Sequence, residues 1–303
     1  MAINNLEFAQ KFTGELDKLF VQGPVTGFFT DNVLRSKFVG AKTVLIPEMD
    51  MVGLGDYDRD TGFIKGAISV SNKPYTLSMD RARSFQLDRE DEDETGIANL
   101  AGQVMSEFVR TKVVPEVDAY CLSKLAGLAA ANGQTVTGTP ATQIIKMFSD
   151  ACIAVQNEVG FDEPLVCFVN PTVWAAIQNT TELSRQLVVS DFKKGGLDLK
   201  VKTINGIAIL PVADNRMKTA FTFYDGSTSG EEEGGFVPTD SAKSIGMLVM
   251  PKKGASLVRK SEKIRTFSPD QNQGADAYKF DYRTYYDVII KNSMAKAVYA
   301  YVY

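Results

Sequence analysis

The residues that could perform chemistry in this chain are limited first by a missing type. Its 303 residues include no histidine. Ser–His–Asp and Cys–His nucleophile arrangements are therefore excluded, and so are zinc and iron sites with His ligands. Carboxylate, lysine and tyrosine chemistry stays open.

Three aspartates at alternate positions, Asp56, Asp58 and Asp60 in DYDRDTG, resemble the start of an EF-hand calcium loop. An EF-hand has glycine at its sixth position and a bidentate glutamate at its twelfth. In this chain the glycine is seventh and Ala67 stands in place of the glutamate. Because the segment is rich in turn residues, we prefer a hairpin tip exposed to solvent over a calcium site.

Other short motifs lack the residues that would support them. Ser190 and Lys193 match S-x-x-K without an accompanying KTG, and GSTSG at 226–230 lacks the central Ser of a nucleophile elbow. No phosphate-binding loop or dinucleotide fingerprint occurs. Cys121, Cys152 and Cys167 have no metal-ligand spacing, so we expect reduced, buried thiols. We predict no enzyme, no metal and no cofactor.

The charge pattern argues against a nucleic-acid coat. The net charge is -4, so binding of nucleic acid through general positive charge is not expected. The acidic run 88–94 could bind cations, but stabilisation of a helix N-terminus explains it with fewer assumptions. Several aromatic residues could stack on bases, but they alternate with acidic residues and fit core and subunit contacts better. These aromatic residues are Phe28, Phe29, Tyr278, Tyr282, Tyr285 and Tyr286.

The element that dominates the sequence is a long helix. Apolar residues recur at three-and-four spacing and predict one buried stripe. They are Ile97, Leu100, Ala101, Val104, Met105, Phe108 and Val109. Pro115 should bend or restart the helix before the pattern resumes at Val117. About 30 residues of helix measure roughly 45 Å, which predicts a spine laid across a flat body.

Strands and a second lobe surround this helix. The alternating stretches 44–51 and 64–75 flank a turn-rich segment and predict a long projecting hairpin. Residues 132–140 are expected to be a linker, and a second helix is expected over 140–159. Alternating strands and helices over about 140–235 predict a layered α/β lobe, with 226–235 as a flexible exposed loop.

The C-terminal third supplies antiparallel strands with distinct faces. One has Tyr278, Phe280 and Tyr282 on one side, and the last has Tyr299, Tyr301 and Tyr303. An apolar strand face needs a partner, and the helix stripe is the longest uncovered apolar surface. We therefore expect 85–131 and 241–303 to form one helix-on-sheet domain. The three terminal tyrosines also predict a surface completed by a neighbouring subunit.

Three segments together resemble the major capsid proteins of tailed bacteriophages, which share the Hong Kong 97-type shell fold. DRARSF, the acidic run, the long helix and VVPEVDAY follow the family's order. Residues 53–66 are similar to the tip of its extended hairpin, the E-loop, and 263–288 resemble the returning strands of its peripheral domain. The family often has His where Tyr286 stands. The resemblance runs from near Thr43 to the C-terminus.

The resemblance implies an α+β fold in four parts. These are an N-terminal arm (1–42), the E-loop hairpin (43–84), a peripheral domain of spine helix on antiparallel sheet (85–140 and 241–303) and an inserted mixed α/β axial domain (141–240). It implies self-assembly into pentamers and hexamers of an icosahedral or prolate head, within a virion assembled in the host cytoplasm. Because the chain starts directly with the arm, no fused scaffold is expected.

The expected partners follow from the same resemblance. They are other copies of the chain, a portal protein, a separate scaffold protein, packaged double-stranded DNA contacted non-specifically and, optionally, a decoration protein. No membrane is involved, since no run of 18 apolar residues occurs. Two alternatives stay open. One is an encapsulin-like compartment that holds cargo, and the other is a His-free enzyme that uses carboxylates or lysine.

Contacts between subunits are expected at the hairpin tip, the arm and the last strand. The candidates are Asp56, Asp58, Asp60, Phe63, Lys65, Phe8, Phe12, Tyr299, Tyr301 and Tyr303. In the type member of the fold, an E-loop lysine forms an isopeptide bond with a neighbour's asparagine beside a glutamate. Lys65, Lys73, Asn272 and Asn292 provide the residue types. Asn272 lies in a polar segment and Asn292 has no glutamate within ten residues, so we predict no crosslink.

Overall fold

The computed structural model describes residues 22–32, 37–39, 42–60, 62–89, 100–138, 140–180, 188–194 and 197–303. Most of the predicted arm (1–42), Phe8 and Phe12 included, lies outside these ranges, and so do the acidic residues 90–94. Among the described helices, none combines the length and the apolar content that crossing a membrane requires.

Strands outnumber helices along the chain. The strands are β1 (Lys37–Val39), β2 (Thr43–Met51), β3 (Ile68–Thr76), β4 (Met79–Asp88), β5 (Thr135–Thr137), β6 (Leu165–Val169), β7 (Val188–Lys194), β8 (Leu197–Ile204), β9 (Ile207–Pro211), β10 (Phe221–Phe223), β11 (Phe236–Pro238), β12 (Ile245–Pro251), β13 (Ala255–Phe267), β14 (Ala277–Ile290) and β15 (Tyr299–Val302). The α-helices are α1 (Leu100–Phe108), α2 (Val114–Ala131), α3 (Pro140–Val159) and α4 (Pro171–Asn179).

A continuous helical rod over 100–131 crosses the body. After α1, a five-residue π-helical turn (Val109–Val113) leads into α2, which carries Pro115 in its first turn. The backbone angles stay helical at both junctions. The π turn just before Pro115 has already replaced the i→i−4 pattern, as in the bond from the Val114 N–H to the carbonyl of Val109, and this wider turn accommodates the proline. Pro115 was predicted to bend or restart the helix; the helix instead continues through a local change to π-type hydrogen bonding. The rod is about 48 Å long at 1.5 Å per residue.

Three antiparallel strands in the order β13-β14-β4 cover the first half of this rod. Met105, Phe280 and Tyr282 are buried between the two layers. The ring of Phe108 packs edge to face on Phe85 and Tyr282, with centroids 4.9 and 5.8 Å apart. The predicted packing of this sheet on the helix is confirmed. Val104, however, is 39% exposed, because the sheet covers only the side of α1 that carries Met105.

Strands β2 and β3 form the predicted hairpin, paired from Thr43 with Thr76 to Met51 with Ile68. Its root packs on the three-stranded sheet through a small core of Val44, Ile46, Leu77, Val258, Tyr285 and Ile289. Residues 64–67, predicted as strand, connect the tip to β3. Residues 79–84 were assigned above to the hairpin, but they belong to β4. They pair with β14, whose 14 residues are long enough for Tyr286 to lie opposite Met79.

A mixed sheet of seven strands, β5-β15-β12-β6-β9-β8-β7, forms the other half of the body. Every residue of β6 and β12 is buried, because helices cover both faces of the sheet. Phe168 and Leu248 face α2, whereas Cys167 and Val249 face α3 and α4. The rod therefore belongs to both cores, since its first half supports the three-stranded sheet and its second half supports this one.

The last strand corrects two predictions. β15 pairs with β12 and β5 in the seven-stranded sheet, so neither β12 nor β15 joins β14 in a helix-on-sheet layer. The segment 132–140, predicted as a linker, contains β5. Alternating residues in a sequence indicate that a strand has two different faces. They do not indicate which of two sheets the strand joins. The domain boundaries stay a prediction.

The helices predicted after residue 140 are confirmed. α3 ends beside Gly160, which has a φ of 87° and returns its N–H to the carbonyl of Gln156 at 2.8 Å. At the start of α4, Asn170 Oδ1 accepts the N–H of Val173 at 2.9 Å. These local signals set the helix ends of the α/β lobe.

Candidate functional site

A cavity of about 250 Å³ lies between the helical rod, β4 and the loop 226–235. Arg81 crosses it and binds the Glu116 carboxylate through two nitrogens, at 2.6 and 3.2 Å. Arg81 also donates to the carbonyls of Tyr224 and Gly235, and Arg83 donates to a carbonyl within the loop. The loop that we predicted to be flexible is thus bonded to the sheet. These contacts pair the charges of Arg81 and Glu116 with each other and tie the loop to β4.

Ser78, Tyr120, Lys124 and Asp287 form a polar cluster of types that also occur in catalytic sites. Asp287 accepts the N–H and hydroxyl of Ser78 at 3.2 and 2.9 Å and the Tyr120 hydroxyl at 2.8 Å, and it pairs with Lys124. Burial raises the pKa of Tyr120 above its ordinary value, with a further contribution from the Asp287 carboxylate. The phenol is therefore a poor acid at neutral pH. The cluster joins β14 to α2.

The cysteines are buried, and none forms a disulfide, as predicted. Burial raises the pKa of the Cys121 and Cys167 thiols above the ordinary range and that of Cys152 to about 12. Because the thiolate is the nucleophile, these thiols are inert at neutral pH. Across the part of the chain that the structure describes, no group of three or more His, Cys, Asp or Glu residues could hold a metal ion.

Asp118 and Arg216 form an ion pair with a 2.8 Å contact, and each side chain is only 1% exposed. Asp118 also accepts the N–H groups of residues 25 and 26 at 3.0 Å each and the Thr26 hydroxyl at 2.6 Å. Arg216 donates to the carbonyls of residues 22 and 23. The pair therefore fixes the segment that leads in from the N-terminal side onto α2 and the α/β lobe.

The hairpin tip is organised by short contacts of its own. Asp58 Oδ1 accepts the N–H of Asp60 at 2.7 Å, and Asp58 forms an isolated bridge with Gly62. The rings of Tyr57 and Phe63 lie 5.0 Å apart, and Phe63 is 88% exposed. This is the geometry of a solvated turn, as the glycine position predicts. The remaining predicted contact residues of the tip, Asp56 and Lys65, are exposed as well.

The ribbon below the tip has one apolar face. Met49 pairs with Val70 and Met51 pairs with Ile68, and all four side chains are more than 60% exposed. Paired residues of antiparallel strands point to the same side, so these four form a continuous stripe. Polar residues, Asp50 and Ser69 among them, occupy the other face. A contiguous exposed apolar stripe is typical of a surface that another protein covers.

Glu48 closes the root of the hairpin. It lies 2.6 Å from Lys73 Nζ, and it accepts the Tyr75 hydroxyl at 2.9 Å and Asn292 Nδ2 at 3.4 Å. The Lys73 hydrogen bond lowers the pKa of Glu48, while burial and this carboxylate raise the pKa of Tyr75 to about 12. Isopeptide chemistry needs a carboxylate of raised pKa beside a neutral lysine. Folding thus brings a glutamate to Asn292, but in the wrong charge state.

The terminal tyrosines do not share one exposed surface. Tyr301 is 1% exposed, in the core between the sheet and α3. A Cβ at Gly246 would lie 2.7 Å from its ring, so glycine is required there. Tyr301 therefore offers no surface to a neighbour. Tyr299 and Tyr303 are half-buried, and Tyr303 accepts Asn170 Nδ2 at 2.5 Å.

A basic surface that the sequence analysis missed lies on the three-stranded sheet, on the face turned away from the rod. Lys263 stands opposite Arg283, and Arg265 stands opposite Asp281. Arg283 binds Asp80 through two contacts of 2.9 and 2.7 Å. Two hollows of about 370 and 380 Å³ meet there. The cations of this face that line them, which we call the basic surface, are Lys42, Lys260, Lys263, Arg265 and Arg283.

No protein-family model and no curated protein matches this chain. Solved structures match it over almost its whole length. A capsid chain of Cyanophage P-SCSP1u is 14% identical with a TM-score of 0.64, covering 99% of this chain and 96% of that one. A chain of the bacteriophage PhiM1 mature capsid is 15% identical with a TM-score of 0.63, covering 98% and 92%. A chain of Mycobacterium phage Che8 is 11% identical with a TM-score of 0.60, covering 99% and 98%.

These likenesses define the fold. The spine helix on an antiparallel sheet, the extended hairpin and the mixed α/β lobe together form the α+β Hong Kong 97-type shell fold, as predicted. The likeness is one of fold, since the identities lie between 11% and 15%.

Proposed function

We propose that this chain is a structural major capsid protein, which assembles with itself into the pentamers and hexamers of an icosahedral or prolate phage head. The observation that carries the proposal is the hairpin. Its apolar stripe, Met49, Met51, Ile68 and Val70, is exposed in the single chain, in a fold shared over full length with capsid chains. Exposed apolar area of this kind is stabilising only once a neighbour covers it.

Closed rings of one repeated chain need head-to-tail contacts between two different patches. In our proposal the α/β lobe points to the ring centre and the helix-on-sheet half forms the ring edge. The hairpin reaches over the neighbouring subunit. The arm, with Phe8 and Phe12, adds a further contact.

The remaining partners belong to the same proposal. Double-stranded DNA fills the shell and is contacted non-specifically, a portal protein occupies one vertex, and a separate scaffold protein directs assembly. A decoration protein is an optional addition. The protein resides in the virion after assembly in the host cytoplasm. It has no catalytic role, which is supported by a Ser78–Tyr120–Lys124–Asp287 cluster whose bonds are structural.

Electron microscopy of the purified, concentrated protein tests the proposal. We expect capsomers, sheets, tubes or shells, with or without added scaffold. A clean monomer that does not respond to concentration, crowding or scaffold would contradict it. Small closed cages that retain cargo enzymes would favour the encapsulin-like alternative, and compact oligomers with a measurable activity would favour an enzyme.

A further inference from the structure

Aromatic side chains form much of the wall of the cavity between the rod, β4 and the loop 226–235. Phe85 and Tyr282 each pack edge to face on Phe108, and all three line the cavity. Phe85 and Phe108 are only half-buried, so part of each ring is left uncovered. Aromatic rings prefer edge-to-face or offset contacts with a further ring. The wall therefore suits a flat, apolar group.

Tyr286 adds one polar group to this wall. It is 1% exposed and lines the cavity, and among the described residues its hydroxyl has no hydrogen-bond partner. Burial raises the pKa of Tyr286 well above its ordinary value, and the nearby Glu116 carboxylate adds to the shift. The phenol is therefore protonated at neutral pH and is available as a donor. Since a buried hydroxyl without a partner is costly, the site calls for an acceptor.

The charges that line the cavity balance each other. They are the cations Arg81, Arg83 and Lys112 and the carboxylates of Glu116, Asp225 and Glu233. Arg81 and Glu116 bind each other, and Asp225 accepts N–H groups of its own loop. A balanced lining exerts no net attraction on an ion of either sign, so a neutral molecule fits it best.

We propose that this cavity binds a small, neutral aromatic molecule that carries a hydrogen-bond acceptor, such as a carbonyl oxygen. The ring lies against Phe85, Phe108 and Tyr282, and the acceptor receives the hydrogen bond of the Tyr286 hydroxyl. A cavity of about 150 Å³ can hold benzene. The present cavity, at about 250 Å³, has room for a ring with a short substituent. The inference does not depend on the proposed capsid function.

Water is the competing occupant, because it also accepts hydrogen bonds. A buried water typically has about three polar partners. Arg81 already binds Glu116 and the carbonyls of Tyr224 and Gly235, so a water at Tyr286 finds little further support. Several waters would also have to lie on the uncovered rings of the wall, whereas covering those rings with an apolar group is stabilising. The lining therefore favours an aromatic molecule over water.

Two probes of matched shape test the site in the full-length protein. Acetophenone has a ring and a carbonyl acceptor, and ethylbenzene has the same outline without the acceptor. We expect saturable binding of acetophenone in a calorimetric titration. Hydrogen exchange should slow in β4 and in the loop 226–235 when acetophenone binds, because both segments line the cavity.

Removal of single hydroxyls then locates the contact. Tyr286→Phe should weaken acetophenone binding about fivefold, the effect of one hydrogen bond, and leave ethylbenzene binding unchanged. This variant should fold, because the hydroxyl has no bond within the described residues to lose. Tyr282→Phe is the matched control, since Tyr282 lines the same cavity but donates its hydroxyl to Glu262 at 2.9 Å. It should bind acetophenone as the unaltered protein does.

Thermal unfolding by circular dichroism checks that each variant is folded. Absence of saturable acetophenone binding would leave the cavity to water and overturn the inference. Equal effects of Tyr286→Phe and Tyr282→Phe on acetophenone binding would also overturn it. Slower exchange confined to other segments would place the molecule elsewhere, with the same consequence. Assembly enters none of these measurements, so the inference and the capsid function can fail separately.

Discussion

The hairpin and the seven-stranded sheet are both built from strands, but their side chains have opposite surroundings. All residues of β6 and β12 are buried, whereas every described residue from 49 to 72 except Gly62 is exposed. The sheet contributes hydrophobic free energy to folding of the single chain. A two-stranded ribbon without a covered face is marginally stable in water. The comparison separates a body that stabilises the fold from a projection whose apolar area is available for assembly.

The largest expected effect lies in the body, at the buried Asp118–Arg216 pair. Arg216→Met leaves the Asp118 carboxylate buried without its counter-charge, which costs about 3–5 kcal/mol in the free energy of unfolding. Urea denaturation followed by circular dichroism measures it. The control is Lys146→Met, which removes an exposed ion pair with Asp150 on α3 and should change stability by less than about 1 kcal/mol. Equal effects of the two variants would refute the role given to burial.

A smaller loss is expected where the rod meets the three-stranded sheet. Phe108→Asp removes the ring that packs on Phe85 and Tyr282 and brings a carboxylate into that layer. We expect a loss of about 2–4 kcal/mol, visible as poor solubility and a lower melting temperature. Val104→Asp on the solvent side of the same helix is the matched control and should lose less than about 1 kcal/mol. A soluble Phe108→Asp variant that melts with the unaltered protein would mean that this layer is not packed as described.

The root of the hairpin should respond modestly to acid. The Lys73 hydrogen bond is the main cause that lowers the pKa of Glu48 in the folded chain. Ionised Glu48 therefore stabilises the root fully above the unfolded pKa of about 4.5, and this stabilisation is lost as the pH falls through the folded pKa. Hydrogen exchange of the β2 amides should therefore accelerate, relative to the body, as the pH falls below the unfolded pKa. Glu48→Gln removes the titrating group, so its relative exchange should not depend on pH. A pH response equal to that of the unaltered protein would exclude Glu48 as the cause.

No covalent change at all is expected between subunits. Glu48 is ionised at neutral pH, and the Asn272 side chain is already bonded to the carbonyl of Ala277 at 2.9 Å. Assembled particles boiled in detergent with reductant should give a single band near 33.2 kDa on a gel. A ladder of multimers that survives boiling would show that subunits are crosslinked and that the hairpin is not held by non-covalent contacts alone.

Local patterns in the sequence predicted the elements well. The helices were predicted from three local features: the three-and-four spacing around Met105, the proline at 115 and the glycine at 160. Each of these acts on residues close to it in the chain. The hairpin followed from alternation around a turn. These features are determined within a few residues, and so a single sequence contains them.

The features that were missed depend on residues far apart in the chain. Glu48 contacts Asn292 across 244 positions, and the basic surface combines residues of β13 and β14 with Lys42. The assignment of β15 to the seven-stranded sheet depends on the space at Gly246, which Tyr301 fills. Periodicity gives the face of each residue on its own strand, whereas these features are set by which strands become neighbours.

Shortening the hairpin tests the central claim most directly. In a variant whose residues 53–66 are replaced by a two-residue turn, the tip is lost while the root core of Val44, Ile46 and Leu77 is kept. Thermal unfolding and electron microscopy are then measured on the same preparation. We predict an unchanged melting curve and a complete loss of shells and capsomers. Normal shells from the shortened chain would contradict the account, because the projection would then not be the part of the molecule that holds subunits together.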